Sequence, residues 1–334
     1  MSSLPNPAEL RSVSILGTGS YLPKRVMTND DLSKLVETND EWIRSRTGIR
    51  ERRIAEEHET ASDMGEAAAR AALEQAGVRP EEIDLIIVST STPDMQYPTT
   101  ACYLQAKLGA KKGPAFDMGA ACSGFPYALE TGKNFIATGM YKYVLVVATE
   151  KTSAVMDWKD RNTCVLFGDG AGAAVLGHRP GSRGFISSDL GADGTAADIL
   201  YLSNGGTRLP PGEVTESKLT KIQMAGREVY KQAVAVFPES VHKVIEMAGL
   251  QPEQVRMIIP HQANVRIIQS VAERLGLPME RFFLNLDRYG NTSSAAAAIA
   301  LDEAHRTKQF GRGDYVLITA FGGGLTWASQ LIEW

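Results

Sequence analysis

Residues 72–87, ALEQAGVRPEEIDLII, return at residues 244–259 as VIEMAGLQPEQVRMII, with seven identities in sixteen positions. The offset is 172 in a chain of 334 residues. At the same offset GMYKYVLVVA (139–148) meets GRGDYVLITA (311–320), with five identities in ten. Two matches at one offset, close to half the chain length, point to a duplicated unit. Both copies of the longer stretch read alike. A helix ends at glycine, a proline-led turn follows, and an apolar run makes a strand buried on both faces.

The same alternation extends through each half. SVSILGTG, DLIIVSTS, YVLVVAT and CVLFGDGAGAAVLG read as strands of the first half, and GFISSDLG, VRMIIP, YVLITAFGG and LTWASQLIE as their counterparts. DMGEAAARAALEQAG and NVRIIQSVAERLG carry helical spacing between them. The expected fold is α/β. Two similar halves, 1–180 and 181–334, join at HRPGSRG (178–184), with a site where they meet. GDGAGA (168–173) satisfies the dinucleotide fingerprint, but AAVLG then runs straight into His178-Arg179-Pro180. The fingerprint needs a full helix after it, so a glycine-rich hairpin is expected and no nicotinamide cofactor.

Composition narrows the class. The chain is 43% hydrophobic and 22% charged with net charge −4, a globular balance with no general pull toward nucleic acid. No apolar run reaches bilayer length, and MSSLPNPAELRS lacks the apolar core of a signal peptide. Cys102, Cys122 and Cys164 offer neither a zinc spacing nor an even disulfide set. A soluble, cytosolic protein without a metal is expected.

Cys122 stands out. In DMGAACSGFPYALETG (117–132) it lies between a strand-like end and a helical run, among small residues. A helix N-terminus there favours a thiolate, and the small neighbours leave room for an approaching carbonyl. A nucleophilic cysteine needs a partner. Of five histidines, at 58, 178, 242, 261 and 305, four read as solvated surface. His261 differs: in VRMIIPHQAN it ends a buried strand and precedes a helix, where open α/β sheets place ligands. Asn291 sits in a Gly-Asn-Thr turn before a helix of small residues, and the repeat sets GNTSSA opposite GAACSG. FGGGLTW (321–327) supplies bare backbone N–H donors after a strand.

Taken together, AACSGF, PHQANVRI, YGNTSS and AFGGGLTW resemble the β-ketoacyl-acyl-carrier-protein synthase III family in order and spacing. The resemblance runs over essentially the whole chain, from GTGSYLP through NDEWIRSRTGIRERR and FGDGAGAAVL. It implies the thiolase fold, two pseudo-symmetric halves in five α/β layers. It also implies condensation of a short acyl-CoA with malonyl carried on acyl carrier protein, with loss of carbon dioxide and without a cofactor. By the same resemblance Cys122 carries the acyl group, and the backbone N–H groups of Cys122 and Gly323 hold the oxyanion. His261 and Asn291 then donate to the malonyl thioester.

For substrate binding, Trp42 with Arg46 and Arg161 matches the nucleotide grip, and Gly226, Tyr230, Asn264 and Phe321 the substrate tunnel. Arg266 suits an acidic carrier protein, although Glu273 on the same helix departs from a fully basic face. Tyr97 matches a residue sent across a homodimer interface into the partner's acyl pocket. The alternative is a related Cys-His-Asn condensing enzyme of polyketide metabolism that extends with malonyl-CoA. Papain-like hydrolases share the residue order but not the sequence context around the cysteine.

Overall fold

The computed structural model describes residues 10–110, 113–203, 205–210 and 220–334. Nine strands build two sheets. They are β1 (Ser14–Tyr21), β2 (Leu85–Ser89), β3 (Ala115–Met118), β4 (Tyr143–Glu150) and β5 (Gly170–Gly177) in the first half. The second half has β6 (Gly184–Ala192), β7 (Val255–Pro260), β8 (Tyr315–Gly322) and β9 (Thr326–Glu333). The first sheet runs β1-β5-β4-β2-β3 and the second β6-β9-β8-β7, so the shared strands keep one order. An isolated bridge between Ile258 and Phe282 stands where β3 pairs in the first sheet. The register repeats as well. Leu85↔Val144 through Val88↔Val147 recur as Met257↔Val316 through Pro260↔Thr319, each shifted by 172.

Six of the helices matter most for the layers and the site: α1 (Asp40–Thr47), α2 (Ala61–Ala76), α3 (Gly124–Ala137), α4 (Gly226–Met247), α5 (Val265–Leu275) and α6 (Ala295–Arg306). Helix α2 covers the outer face of the first sheet, and α4 and α5 that of the second. Helices α3 and α6 lie between the sheets, giving five layers. This is the thiolase-like arrangement. Thr60 caps α2 through a reciprocal bond with Asp63, and Gly77 ends the helix at φ 65°. Gly249 follows α4 at φ 69° in the same role, 172 residues on. Only a residue without a Cβ adopts that conformation cheaply.

All five residues of β2 are at most 1% exposed, as expected of a strand covered on both faces. Each such Leu, Ile or Val contributes about 1.5–3 kcal/mol of burial. The alanine run Ala295–Ala298 is equally buried, and small size is what lets α6 lie flat on β5. A Cβ added at Gly172 would come 2.4 Å from the Ala298 Cβ. The glycines of GDGAGA therefore serve close helix–strand packing. They do not form the hairpin expected from the sequence, because Gly170–Gly177 is continuous strand. The strand read as CVLFGDGAGAAVLG is likewise shorter, with a helical turn over Arg161–Cys164. No helix among the described residues is long and apolar enough to cross a membrane.

Candidate active site

A cavity of about 850 Å³ is lined by residues from both halves, and Cys122, His261 and Asn291 all face it. Cys122 lies in the short turn Ala121–Ser123 that leads into α3, as its sequence context predicts. Ala121 takes φ 45° to turn the chain there, a conformation costing a non-glycine residue roughly 1–3 kcal/mol. The end of β8 presses against this turn. A Cβ at Gly322 would lie 2.7 Å from the Cys122 N and 3.0 Å from the Ser123 N, so this position must be bare.

His261 follows β7, its N–H donating to the Thr319 carbonyl at 2.7 Å. The ring is buried, and its Nδ1 has no hydrogen-bond partner among the described residues. Asn291 is pinned through its backbone. Its N–H donates to the Leu166 carbonyl at 2.8 Å, and its carbonyl accepts from the Gly168 N–H at 3.0 Å. The Asn291 Oδ1 accepts from the Ser293 N–H at 2.9 Å. That bond fixes the amide orientation and leaves Nδ2, a donor, for the cavity.

Burial governs the protonation of the site. It pushes the Cys122 thiol up to about 12; contact with the Ser293 hydroxyl opposes this, and the charge of Glu150 adds to it. The helix terminus is where the sequence places it, and lost hydration is the largest influence on the thiol. Cys122 is therefore a thiol at pH 7, not the thiolate expected from sequence. Burial also moves His261 from 6.5 down to about 4, so its imidazole is neutral at pH 7. Among the described residues no carboxylate is hydrogen-bonded to the ring.

At the entrance the guanidinium carbons of Arg46 and Arg161 lie 5.0 and 4.9 Å from the Trp42 ring centroid. An aromatic face with two flanking cations is a surface for a planar, negatively charged group. Gly226, Tyr230, Asn264 and Phe321 line the passage inward. Tyr230 bonds Ser270 at 2.9 Å, and Asn264 caps α5 by accepting from the Arg266 N–H. The Arg266 guanidinium donates twice to the Ser45 carbonyl, at 3.1 and 2.8 Å, tying α5 to α1. Glu273 is exposed on α5.

Residues 245–334 match the family described as 3-oxoacyl-[acyl-carrier-protein] synthase III C terminal, and residues 116–194 match 3-oxoacyl-[acyl-carrier-protein] synthase III. A beta-ketoacyl-[acyl-carrier-protein] synthase III of Caldanaerobacter subterraneus subsp. tengcongensis is 52% identical over 97% of this chain and 98% of its own. This chain belongs to the β-ketoacyl-acyl-carrier-protein synthase III family. The solved synthase III of Aquifex aeolicus superposes with a TM-score of 0.91 at 48% identity, covering 96% of this chain and all of that one. The priming β-ketosynthase of the R1128 polyketide pathway superposes at 0.93 with 40% identity, covering 99% and 98% of the two chains.

Within the synthase III family frame, ten of the residues expected from sequence line the one cavity, and three do not. Arg161 reaches it only through Trp42. Gly323 lies beside the cysteine turn, where its added Cβ would meet the Ala121 Cβ at 3.4 Å. Tyr97 stands 84% exposed, away from the cavity of its own chain. Sequence reading missed Ser293, whose hydroxyl accepts from the Cys122 thiol at 3.7 Å and whose φ is 51°. It also set GAACSG against GNTSSA one residue out of register. The left-handed residues Ala121 and Ser293 are 172 apart, so the mate of Cys122 is Ser294. His305, read as solvated, instead packs 4.8 Å from the Trp334 ring.

Proposed function

We propose that this chain starts fatty-acid synthesis, condensing a short acyl-CoA with malonyl-acyl carrier protein to give 3-oxoacyl carrier protein, CoA and carbon dioxide. The observation that carries this is the meeting of Cys122, His261 and the free Asn291 amide donor in one cavity of a synthase III fold. In the first step the Cys122 sulfur attacks the acyl-CoA carbonyl. The tetrahedral oxyanion is held by backbone N–H groups of Cys122 and Gly323. As the carbon–sulfur bond to CoA breaks, the thiol proton ends on the departing CoA sulfur. His261, the neutral base lining the cavity, is placed to relay it.

In the second step the malonyl thioester oxygen accepts from His261 and Asn291. The bond to the carboxylate breaks, carbon dioxide leaves, and the electron pair enters an enolate. Its carbon attacks the acyl-cysteine, and the Cys122 sulfur departs and regains a proton from water. Both thioesters are substrates, so the chemistry needs no cofactor. The test is product analysis with the purified chain. Product from malonyl carrier protein and not from malonyl-CoA is expected; the reverse preference favours a polyketide role.

Trp42, Arg46 and Arg161 bind the nucleotide end of acyl-CoA in this reading. Trp42→Ala and Arg46→Ala should raise KM for acyl-CoA about tenfold or more, with KM for malonyl carrier protein little changed. Only free coenzyme carries an adenine to stack. Equal effects on both substrates contradict the assignment. Arg266 is assigned to carrier docking, but its bonds to Ser45 make it a tie to the Trp42 helix as well.

The active form is a cytoplasmic homodimer in this account. Strand β3 is the edge of its sheet, and Tyr97 and Met95 are 84% and 48% exposed. Edges of this kind are normally covered, and Tyr97 then enters the partner's acyl pocket. Light scattering should give twice the chain mass; a fully active monomer contradicts it.

A further inference from the structure

Both halves end a buried strand beside the N-terminus of a central helix. In the first such junction the end of β8 meets the start of α3, and in the second the end of β4 meets the start of α6. By the shift of 172, Cys122 corresponds to Ser294, His261 to Ser89, and Gly322 to Glu150. At the Cys122 junction the strand end is bare glycine. At the Ser294 junction it is a carboxylate.

Glu150 is fully buried, and it forms no ion pair among the described residues. Its Oε1 accepts from the Ser294 Oγ at 2.7 Å and from the Ser294 N–H at 3.4 Å. The Ser91 N–H donates to both oxygens, at 3.2 and 3.1 Å. The Thr92 hydroxyl donates to Oε2 at 2.8 Å and the Thr90 hydroxyl at 3.5 Å. Five donors and the N-terminus of a twelve-residue helix converge on one carboxylate. The Ser294 N–H thus gives Glu150 the bond that, in the reading above, the Cys122 N–H gives the oxyanion.

We propose that Glu150 plugs the mirror junction and, from there, acts as a positioning residue for the condensing one. Its carboxyl group anchors the 291–294 turn; burial pushes its pKa up, the hydrogen bonds from Ser294, Thr92 and Ser91 oppose this, and the charge it carries raises the Cys122 thiol. The anchor bears on the site directly. The turn it holds carries Asn291, whose Oδ1 is fixed by the Ser293 N–H, and Ser293, whose hydroxyl meets the thiol. The charge bears on the sulfur: an anion in a buried site disfavours a second anion nearby. The empty enzyme then keeps Cys122 as a thiol, slow to alkylate or oxidise. Two titratable groups bear on this sulfur: Glu150, whose charge raises the thiol, and His261, which lines the same cavity; Asn291 and Ser293 do not titrate. Facing Glu150 are Thr90, Ser91 and Thr92 after β2 and Ser294 at α6.

The inference rests on the activity proposed above, and its test separates the two. Glu150→Gln, Glu150→Asp and Ser294→Ala are compared with the wild type. The first measurement is iodoacetamide alkylation of Cys122 against pH, followed on the Cys122 peptide by mass spectrometry. The second is carbon dioxide release from malonyl carrier protein. Glu150→Gln removes the charge and should speed alkylation about tenfold at a given pH, one unit of thiol pKa. Glu150→Asp and Ser294→Ala keep the charge and loosen the anchor. They should leave the alkylation profile in place and lower carbon dioxide release about tenfold.

A folded Glu150→Gln with the wild-type alkylation profile overturns the electrostatic role. Wild-type carbon dioxide release in both Glu150→Asp and Ser294→Ala overturns the positioning role. If Glu150→Gln does not fold, those two variants decide the proposal. A wild-type enzyme that releases no carbon dioxide contradicts the proposed activity instead, and the alkylation comparison still judges Glu150.

Discussion

Replacing Cys122 with alanine should abolish acyl-enzyme formation and condensation while malonyl carrier protein still loses carbon dioxide. The two partial reactions draw on different groups. Acyl transfer needs the sulfur and its backbone donors. Decarboxylation needs only donors to the thioester oxygen, and the alanine leaves His261 and the Asn291 amide where they are. Condensation should fall to background, and decarboxylation should persist at a measurable rate. Labelled acyl-enzyme and labelled carbon dioxide, followed side by side, check this. Loss of both activities in a folded Cys122→Ala enzyme would show that the sulfur also serves the second step.

His261→Ala and Asn291→Ala should give the complementary result. Each removes one donor to the developing enolate, worth about 10²–10³ in rate, so carbon dioxide release should drop by that factor. Asn291→Ala also orphans the Ser293 N–H, at about 1–3 kcal/mol, so rates are normalised to folded enzyme. Undiminished decarboxylation in either variant overturns the donor assignment. The His261 variant carries a second signature. Folded His261 resists protonation until about pH 4, whereas the unfolded chain takes up that proton below about 6.5. Wild-type stability therefore falls as pH drops from 6.5 to 4, and this contribution is complete above 6.5. His261→Ala lacks it, so its urea midpoint should decline less steeply over that window. Identical slopes contradict a neutral, buried His261.

Much of this was legible in the residues. Periodicity and the offset of 172 gave the duplicated α/β order, because register and sheet order are shared between the halves. Cys122, His261 and Asn291 were singled out from their places at strand ends and helix starts, and one cavity brings them together. What stayed hidden depends on three-dimensional surroundings. Burial reverses the expected ionisation of Cys122, and no local pattern reports lost hydration. Pro238 lies inside helix α4, where the chain alone argues for a break. Tyr97, exposed in this chain, takes a role only in the proposed homodimer. Nothing in its local sequence marks Glu150. Its signal was present all the same, since the repeat that located the fold also aligns Glu150 with Gly322.

The most direct test of the central claim is to mix the enzyme with labelled acyl-CoA alone and map the label by peptide mass spectrometry. The account predicts one acyl group per chain, on Cys122, that malonyl carrier protein discharges as labelled 3-oxoacyl carrier protein. Label on another residue, or acyl-Cys122 that malonyl carrier protein leaves in place, contradicts it.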